Sequence, residues 1–464
     1  MKMRRILAFI ISACLMLSLL AGCGSNTEKE ADSKADSGTG TASTSEESKT
    51  AETKPEPVTL TVFVDTVQAQ DQNLRKAFDD YEKISGNKVE FNEILGPIQE
   101  VPQKRDIALM SGDTTDIIRC NAIEGINYGT AKMVEGDLKP YFEKIGFDAE
   151  KTFGDTLYKD KDGKIFGVPT IATFWAVFYN KKIFDEANVP YPKAPWTWDD
   201  YIETAKKLTD PSKGIYGSYM PLYDNMFYIK ASMAGLSGYK EDGTSDYDNP
   251  LFKESMLFYH ELSAVHKIQP SWAEQQIKKM TSTYFLSGKC GMMFISSWYF
   301  SAISDLETYP RDWEIGVVAT PTFKDLKENK NLAICDFHGI NINSKNKQAA
   351  ADFIAWVSTN EYKYRNQFPA MANVQKSDVE DVFKSIEEST NGQITVDDLY
   401  NAYYNNGMGV ASEKILGPIA SQYSAIIKAE GENFITGAKT LDQAIADIKA
   451  KADEAIEQAT ESNK

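Results

Sequence analysis

The stretch VTLTVFV at residues 58–64 begins the predicted fold. Its residues are apolar or β-branched, which is typical of a buried strand. Apolar residues at helical spacing follow over residues 74–81, and a second alternating strand covers residues 89–91. A helix around residues 107–112 and a short strand at residues 116–118 come next. Strands that alternate with helices predict a parallel sheet covered by helices, so the fold class is α/β.

The same kind of pattern continues to the end of the chain. Thr197-Trp198-Asp199-Asp200 resembles a capping box that opens a helix. Further strands are predicted at residues 164–168, 176–179, 291–295 and 313–319, and amphipathic helices at 350–357 and 441–456.

Upstream of this body, the chain begins with an export signal. Lys2, Arg4 and Arg5 precede an apolar run at residues 6–20, which is too short to span a bilayer. The run ends in Leu-Ala-Gly before Cys23, a pattern that resembles the bacterial lipobox. The resemblance implies a lipoprotein signal peptide over residues 1–22 and lipidation of Cys23. The alternative is an ordinary signal peptide with a chance cysteine.

Residues 23–57 are predicted to be a disordered lipid tether. From residue 24 on, the only carbon-rich residues are Ala and Pro, and the others are small, polar or charged. Such a segment cannot bury enough apolar surface to offset the entropy of ordering it.

Size and charge limit the possible functions. The chain has 464 residues and a net charge of −17. The part beyond the tether is longer than one core usually holds, so two lobes are expected. The acidic balance argues against nucleic-acid binding, which needs a basic surface.

Cysteine and histidine usage gives no sign of a metal site or cofactor. Cys120, Cys290 and Cys335 are predicted to be buried free thiols, although one disulfide plus one free thiol stays possible. There are three histidines and no HExxH, GxSxG or GxxxxGK motif. We therefore expect no catalytic residues, no metal and no cofactor.

Five segments in order resemble the extracellular solute-binding proteins (family 1) of carbohydrate ABC importers, the group that includes maltose-binding protein. Thr115 and Ser297 depart from that family's usual Pro and Gly. Together the segments cover nearly all of the chain beyond the tether. They are Ser111–Ile118, Asp162–Pro169 with Phe178–Phe184 and Trp196–Asp200, Phe285–Met293 with Ser297-Trp298, Trp313–Pro321, and Gly339–Ile342 with Lys347–Phe353.

The resemblance implies a two-lobe periplasmic-binding-protein-like fold with a hinge of crossing strands and a ligand in the cleft. Carried over to this chain, lobe 1 would comprise residues 58–171 plus 335–366. Lobe 2 would comprise residues 172–334 plus 367–464. The chain would leave lobe 1 near residues 169–173, return near Asp336 and cross again near Phe368.

A sugar needs an aromatic plane under its C–H face and planar polar groups at its hydroxyl rim. Trp298 resembles the family's stacking tryptophan, and Trp175 follows the first crossing, where packing between the lobes is an equal alternative. Loops after parallel strands face the cleft and supply polar candidates. The remaining predicted ligand-binding residues are Asp65, Thr66, Gln68, Asn121, Glu124, Thr173, Tyr223, Asn225, Asp336, His338 and Met371.

The sequence thus predicts an extracytoplasmic, lipid-anchored, monomeric binding protein. It would capture a sugar or oligosaccharide and deliver it to the permease subunits of an ABC importer, with no reaction of its own. Two alternatives stay open: a surface glycan hydrolase, and the same fold binding a non-sugar solute or serving a sensor partner.

Overall fold

The computed structural model describes residues 56–462. The predicted signal peptide, the lipidation site Cys23 and the tether up to residue 55 lie outside the described residues. Within residues 56–462, no helix combines the length and the apolar character needed to cross a membrane.

The elements of the described part alternate between strands and helices, with helices dominating the last quarter. The strands are β1 (Thr59–Asp65), β2 (Lys88–Ile94), β3 (Ile117–Asn121), β4 (Tyr158–Lys159), β5 (Ile165–Gly167), β6 (Ala172–Asn180), β7 (Tyr216–Tyr219), β8 (Cys290–Ser296), β9 (Ile315–Ala319), β10 (Lys330–Ile340) and β11 (Gly409–Ser412). The helices are α1 (Thr66–Gln70), α2 (Gln72–Ser85), α3 (Val101–Met110), α4 (Ala122–Thr130), α5 (Lys139–Lys144), α6 (Ala149–Phe153), α7 (Lys181–Glu186), α8 (Trp198–Leu208), α9 (Ile229–Met233), α10 (Pro250–Ala264), α11 (Trp272–Ile277), α12 (Phe300–Ser304), α13 (Lys347–Arg365), α14 (Lys376–Ser389), α15 (Val396–Tyr403), α16 (Ala420–Ile435) and α17 (Leu441–Ser462).

The opening βαβαβ unit forms as the sequence predicts. Strand β1 lies parallel to both β2 and β3. Helix α2 begins at Asp71, whose side chain accepts from two backbone N–H groups, and ends at Gly86 in the left-handed conformation (φ 84°). Its buried face carries Leu74, Phe78 and Tyr81, the residues that show helical spacing in the sequence. Local pattern and capping therefore agree with the fold here.

One long sheet runs through the molecule in the order β2-β1-β3-β10-β6-β8-β7. Strand β10 holds it together because its two halves have different partners. Residues Asp336–Ile340 pair with β3, whereas residues Ala333–Cys335 pair with β6. Strand β11 lies parallel to the beginning of β10.

The hydrophobic cores divide at this strand into two lobes. The first lobe packs β1, α2 and the apolar face of α13 into one core, with a second, smaller cluster around Phe337. In the second lobe, two cores cover opposite faces of β6 and β8. The last helix, α17, packs Ala444, Ile448 and Ala452 into the second lobe.

Three chain segments cross between the lobes and are hydrogen-bonded to one another. Ala172 donates its N–H to the carbonyl of Phe368 at 2.9 Å, and Ala370 donates to Thr170 at 3.3 Å. The N–H of Asp336 donates to the carbonyl of Ile171 at 3.2 Å. These crossings form the hinge of the two-lobe α/β fold, while the exact lobe boundaries stay a prediction.

Two predicted elements differ in detail from the observed ones. Helix α3 begins at Val101, and of its apolar residues near the end only Leu109 is buried; Ile107 and Met110 face solvent. The strand predicted from residue 313 begins at Ile315, although Trp313 is buried beside it. The free-thiol prediction is confirmed, with Cys120 and Cys290 buried and Cys335 half-buried.

Gly217 in β7 gives a sharp test of packing in the second lobe. Gly217→Ala is expected to lower the free energy of unfolding by about 1–3 kcal/mol, the usual cost of overpacking. The added Cβ would lie 1.9 Å from the backbone carbonyl oxygen of Ala205 in α8, so the strand or the helix must move. Urea unfolding measures the loss. Gly136→Ala is the matched control, since no atom lies within 4 Å of its Cβ position; equal losses in the two variants would contradict the argument.

Candidate functional site

A cavity of about 570 Å³ lies against the hinge. Its walls come from the first lobe and from the crossing strands β6 and β10, and they mix apolar with charged and polar side chains. The lining residues are Asp65, Gln68, Ile98, Gln99, Val101, Pro102, Arg105, Arg119, Cys120, Asn121, Glu124, Ile171, Ala172, Thr173, Ile334, Cys335 and Asp336.

The strand register explains why polar residues gather on this floor. Asp336 of β10 lies opposite Asn121 of β3, and Ile334 lies opposite Thr173 of β6. Side chains alternate between the two faces of a strand, so all four share one face of the sheet. The carboxyl end of β3 therefore meets the crossing strands at one place, and their polar side chains line a common surface.

On the sheet floor of the cavity, Asp336 and Thr173 each have a side-chain oxygen without a hydrogen-bond partner within the described residues. The Oδ1 atom of Asp336 accepts from the backbone N–H groups of Thr170 at 2.7 Å and Ile171 at 3.0 Å. Its Oδ2 atom is buried and unpaired, as is the Oγ1 atom of Thr173. Buried polar groups are usually hydrogen-bonded, so these two atoms keep unused hydrogen-bonding capacity at the cavity.

A buried ionic network stands behind Asp336. Arg119 is 3% exposed and forms a bidentate pair with Glu361 of α13, with both N–O distances 2.5 Å. The same guanidinium lies 3.1 Å from the ring nitrogen Nε2 of His338, whose Nδ1 lies 2.7 Å from the Thr170 hydroxyl. Oδ2 of Asp336 lies 4.0 Å from Arg119. Bidentate pairing of this kind fixes orientation as well as charge.

Burial and the positive charge of Arg119 together set the pKa values of Asp336, His338 and Glu361. Burial raises the pKa of Asp336 to about 6, although the nearby Arg119 charge opposes the shift. Burial and the same charge lower the pKa of His338 to about 3, so the imidazole is neutral. For Glu361, burial alone would raise the pKa, but the charge and hydrogen bonds of Arg119 outweigh it and hold the pKa at about 2.

The first-lobe wall is built from helix caps. Asp65 accepts from the N–H of Gln68 and closes a capping box at the start of α1, and Asn121 accepts from the N–H of Glu124 at the start of α4. Arg105 of α3 is almost fully buried and paired with Glu124, whose pKa is raised by burial despite this partner. Capping fixes these side chains at the carboxyl ends of β1 and β3.

The second lobe carries one exposed tryptophan outside the cavity lining. Trp298 follows β8 and is 44% exposed, whereas the other tryptophans of the described residues are buried or half-buried. Its strand neighbour Ser297 accepts from the N–H of Phe174 in the crossing strand at 3.2 Å. Beyond the crossing strands, no second-lobe residue lines the cavity.

The structure brings six of the predicted ligand-binding residues to the cavity and places the others elsewhere. The six are Asp65, Gln68, Asn121, Glu124, Thr173 and Asp336. Trp298, Tyr223 and Asn225 belong to the second lobe, where both side-chain polar atoms of Asn225 are buried and unpaired. Thr66 lies beside the cavity in α1, and Met371 packs against the cores of both lobes.

Two predicted residues are too deeply buried to reach a ligand in this arrangement. Trp175 is 1% exposed in the second-lobe core, and its indole N–H donates to the carboxylate of Glu413. His338 is fully buried between Arg119 and Thr170. His338 therefore supports the cavity wall by contacting Arg119 and Thr170. Trp175 packs in the second-lobe core.

Arg105 and Arg119 are the main residues that the sequence did not single out. Both line the cavity, both are more than nine-tenths buried, and the Nε atom of each has no partner among the described residues. One signal existed for Arg119, since it interrupts the apolar strand Ile117-Ile118-Arg119-Cys120. A lone charge in a buried strand implies a buried partner. Within residues 56–462, no group of His, Cys, Asp and Glu side chains is arranged to hold a metal ion.

The sequence is similar to those of curated binding proteins. A curated arabinooligosaccharide-binding protein from Halalkalibacterium halodurans is 27% identical over 151 residues, which is 31% of this chain and 33% of that protein. The chain spans between a third and about half of the length of the first curated relatives that it matches.

Two solved structures share the fold. A substrate-binding protein of an ABC transporter from Listeria monocytogenes, in complex with cycloalternan, superposes with a TM-score of 0.66 at 22% identity, covering 86% of this chain and 99% of that one. A sugar transporter protein from Rhizobium etli in an open conformation gives a TM-score of 0.70 at 22% identity, covering 85% and 98%.

The family comparison covers more of the sequence than the curated relative does. Residues 65–364, nearly two thirds of the chain, match the family model described as bacterial extracellular solute-binding protein. The match begins at Asp65, the last residue of β1, and includes the crossing strands β6 and β10 and most of α13 with Glu361. The chain belongs to the family of bacterial extracellular solute-binding proteins.

Proposed function

We propose that this protein is the substrate-binding component of an ABC importer and that it binds a sugar or oligosaccharide in the interlobe cleft. The observation that carries the proposal is the hinge cavity, whose Asp336 and Thr173 side chains keep atoms without hydrogen-bond partners among the described residues. In this proposal the exposed Trp298 of the second lobe supplies the stacking plane. An aromatic plane and rim hydrogen bonds are what a sugar ring requires. The named relatives that bind oligosaccharides support this ligand class.

In this proposal the ligand acts by closing the cleft. The open form exposes Trp298 on one side and the polar first-lobe wall on the other. A ligand that contacts both walls binds the closed form more tightly and so shifts the population toward it. The closed protein would then dock on the permease subunits as a monomer, and no reaction would occur on the chain.

Location follows from the same proposal. Lipidation of Cys23 would hold the protein at the outer face of the cell membrane. Mass spectrometry of the membrane-extracted protein tests this directly: a diacylated or triacylated N-terminal cysteine is expected, and an unmodified N-terminus at another residue would refute it.

A thermal-shift screen tests the ligand class. The purified protein is screened against mono- and oligosaccharides, polyols, amino acids and polyamines. A sugar at 100 times its dissociation constant is expected to add about 2.7 kcal/mol of stability. Shifts with amino acids or polyamines alone would overturn the carbohydrate assignment, and release of smaller sugars from an oligosaccharide would indicate a hydrolase instead.

Trp298→Ala is expected to weaken sugar binding by about tenfold or more, because the stacking plane is lost. The free energy of unfolding should fall by less than the loss of about 3–5 kcal/mol that is usual for a buried tryptophan, since Trp298 is 44% exposed. Isothermal titration and urea unfolding measure the two quantities. Tyr191→Ala is the control, because Tyr191 is an exposed aromatic residue that does not line the cavity. Equal affinity in Trp298→Ala and wild type would remove Trp298 from the site.

A further inference from the structure

The hinge cavity offers unpartnered donors as well as unpartnered acceptors. Oδ2 of Asp336 can only accept while the carboxylate is ionised, whereas the Nε–H groups of Arg105 and Arg119 can only donate. Oγ1 of Thr173 can do either. A hydroxyl group both donates and accepts, so a neutral polyhydroxy ligand can satisfy all of these atoms.

The charged side chains of the cavity do not favour an anionic ligand. Both guanidiniums already have carboxylate partners, Arg105 in Glu124 and Arg119 in Glu361. Asp336 and Asp65 add further carboxylates to the same wall, so negative groups outnumber positive ones around the cavity. A ligand carboxylate placed here would meet Asp336 Oδ2 without a free cation to accept it.

The Asp336 carboxylate is held in a fixed orientation. Two backbone N–H groups of the first crossing segment bind Oδ1, so the carboxylate cannot rotate without breaking these hydrogen bonds. The neighbouring His338 is neutral and lies 3.7 Å from Oδ2 without a hydrogen bond between them. Asp336 lines the cavity, so the charge of its carboxylate acts on any ligand that reaches the hinge floor.

We propose that Asp336 sets the charge specificity of the cleft: its free carboxylate oxygen accepts a hydrogen bond from a hydroxyl of an uncharged sugar and excludes sugars that carry a carboxylate, such as uronic acids. The inference rests on the proposed function, since it names the chemical class of ligand for the same site. Asp336 also belongs to one of the segments that cross between the lobes. The residue that selects the ligand would therefore lie in the hinge itself.

Matched pairs of sugars test the proposal on the unmodified protein. The pairs are glucose and glucuronate, galactotriose and trigalacturonate, and mannotriose and trimannuronate, each titrated by calorimetry at pH 7.5. In every pair that binds, the neutral member is expected to bind at least ten times more tightly. A uronate that binds as tightly as its neutral partner overturns the inference but leaves sugar binding intact. If no sugar in the screen or the pairs binds, the proposed function fails and the inference fails with it.

Asp336→Asn removes the charge of the side chain but keeps its shape, so it tests whether the charge sets the specificity. The variant is expected to lose affinity for the neutral sugar and to gain affinity for the uronate, so that the ratio of the two falls at least tenfold. Asp312→Asn is the matched control, because Asp312 is a largely exposed carboxylate outside the cavity and should leave the ratio unchanged. A ratio that is the same in Asp336→Asn and wild type would show that another group sets the specificity.

Discussion

Glu361→Gln is expected to lower the free energy of unfolding by about 3–5 kcal/mol, the usual result of removing one partner from a buried ion pair. The Glu361 side chain is fully buried and accepts from both terminal nitrogens of Arg119 at 2.5 Å, and from Arg365 at 2.9 Å. An amide carries no charge and presents only one acceptor oxygen. The variant would therefore leave the Arg119 guanidinium buried with only Asp336, at 4.0 Å, as a nearby anion.

Urea unfolding at pH 7 measures this loss, with Glu314→Gln as the matched control. Glu314 also pairs with a cation, Lys181 at 3.0 Å, but its side chain is 61% exposed. Exposed pairs contribute about 0–1 kcal/mol, so the control should stay within that range. A loss in Glu361→Gln no larger than in the control would mean that the bidentate pair contributes little and that Arg119 finds another partner.

The fold could be predicted from the sequence wherever the signal is local. Strand β1 and helix α2 are each defined by spacing within about 15 residues, and their predicted limits agree closely with the observed ones. Asp65 and Asn121 were predicted because each follows a predicted strand, where loops of a parallel sheet face the cleft. The structure adds that each of them caps the next helix. Such residues can be predicted without information about distant parts of the chain.

Side chains whose role depends on distant partners could not be predicted. Arg119 and Glu361 are separated by 242 positions, and nothing in either local pattern shows the other. Trp175 was predicted as a ligand-binding residue because it follows the first crossing. Its indole is instead buried against Glu413, 238 positions away, on the face of β6 that packs into the second-lobe core. Alternation along a strand shows which residues share a face, but only the assembled lobes show which face meets solvent.

Asp336→Asn is expected to stabilise the protein at neutral pH relative to wild type, even though it weakens sugar binding. Burial raises the pKa of Asp336 from its ordinary value of 3.8 to about 6 in the folded protein. The folded state therefore holds this proton more strongly than the unfolded chain does. The stability that protonation provides is complete below about pH 4 and is lost as the pH rises through 6. Asparagine does not titrate, so the variant does not lose it.

Urea unfolding of both proteins at pH 4 and pH 7.5 measures the effect. The difference in unfolding free energy, variant minus wild type, should be about 2–3 kcal/mol more favourable at pH 7.5, since each unit of pKa shift corresponds to about 1.4 kcal/mol. His338 and Glu361 titrate in both proteins, so their contributions largely cancel in the difference. The same difference at both pH values would mean that Asp336 titrates alike in the folded and unfolded chains. The expected result would mean that an unpaired hinge carboxylate costs the empty protein stability, and that the hydroxyl of a bound sugar offsets that cost only when the cleft is occupied.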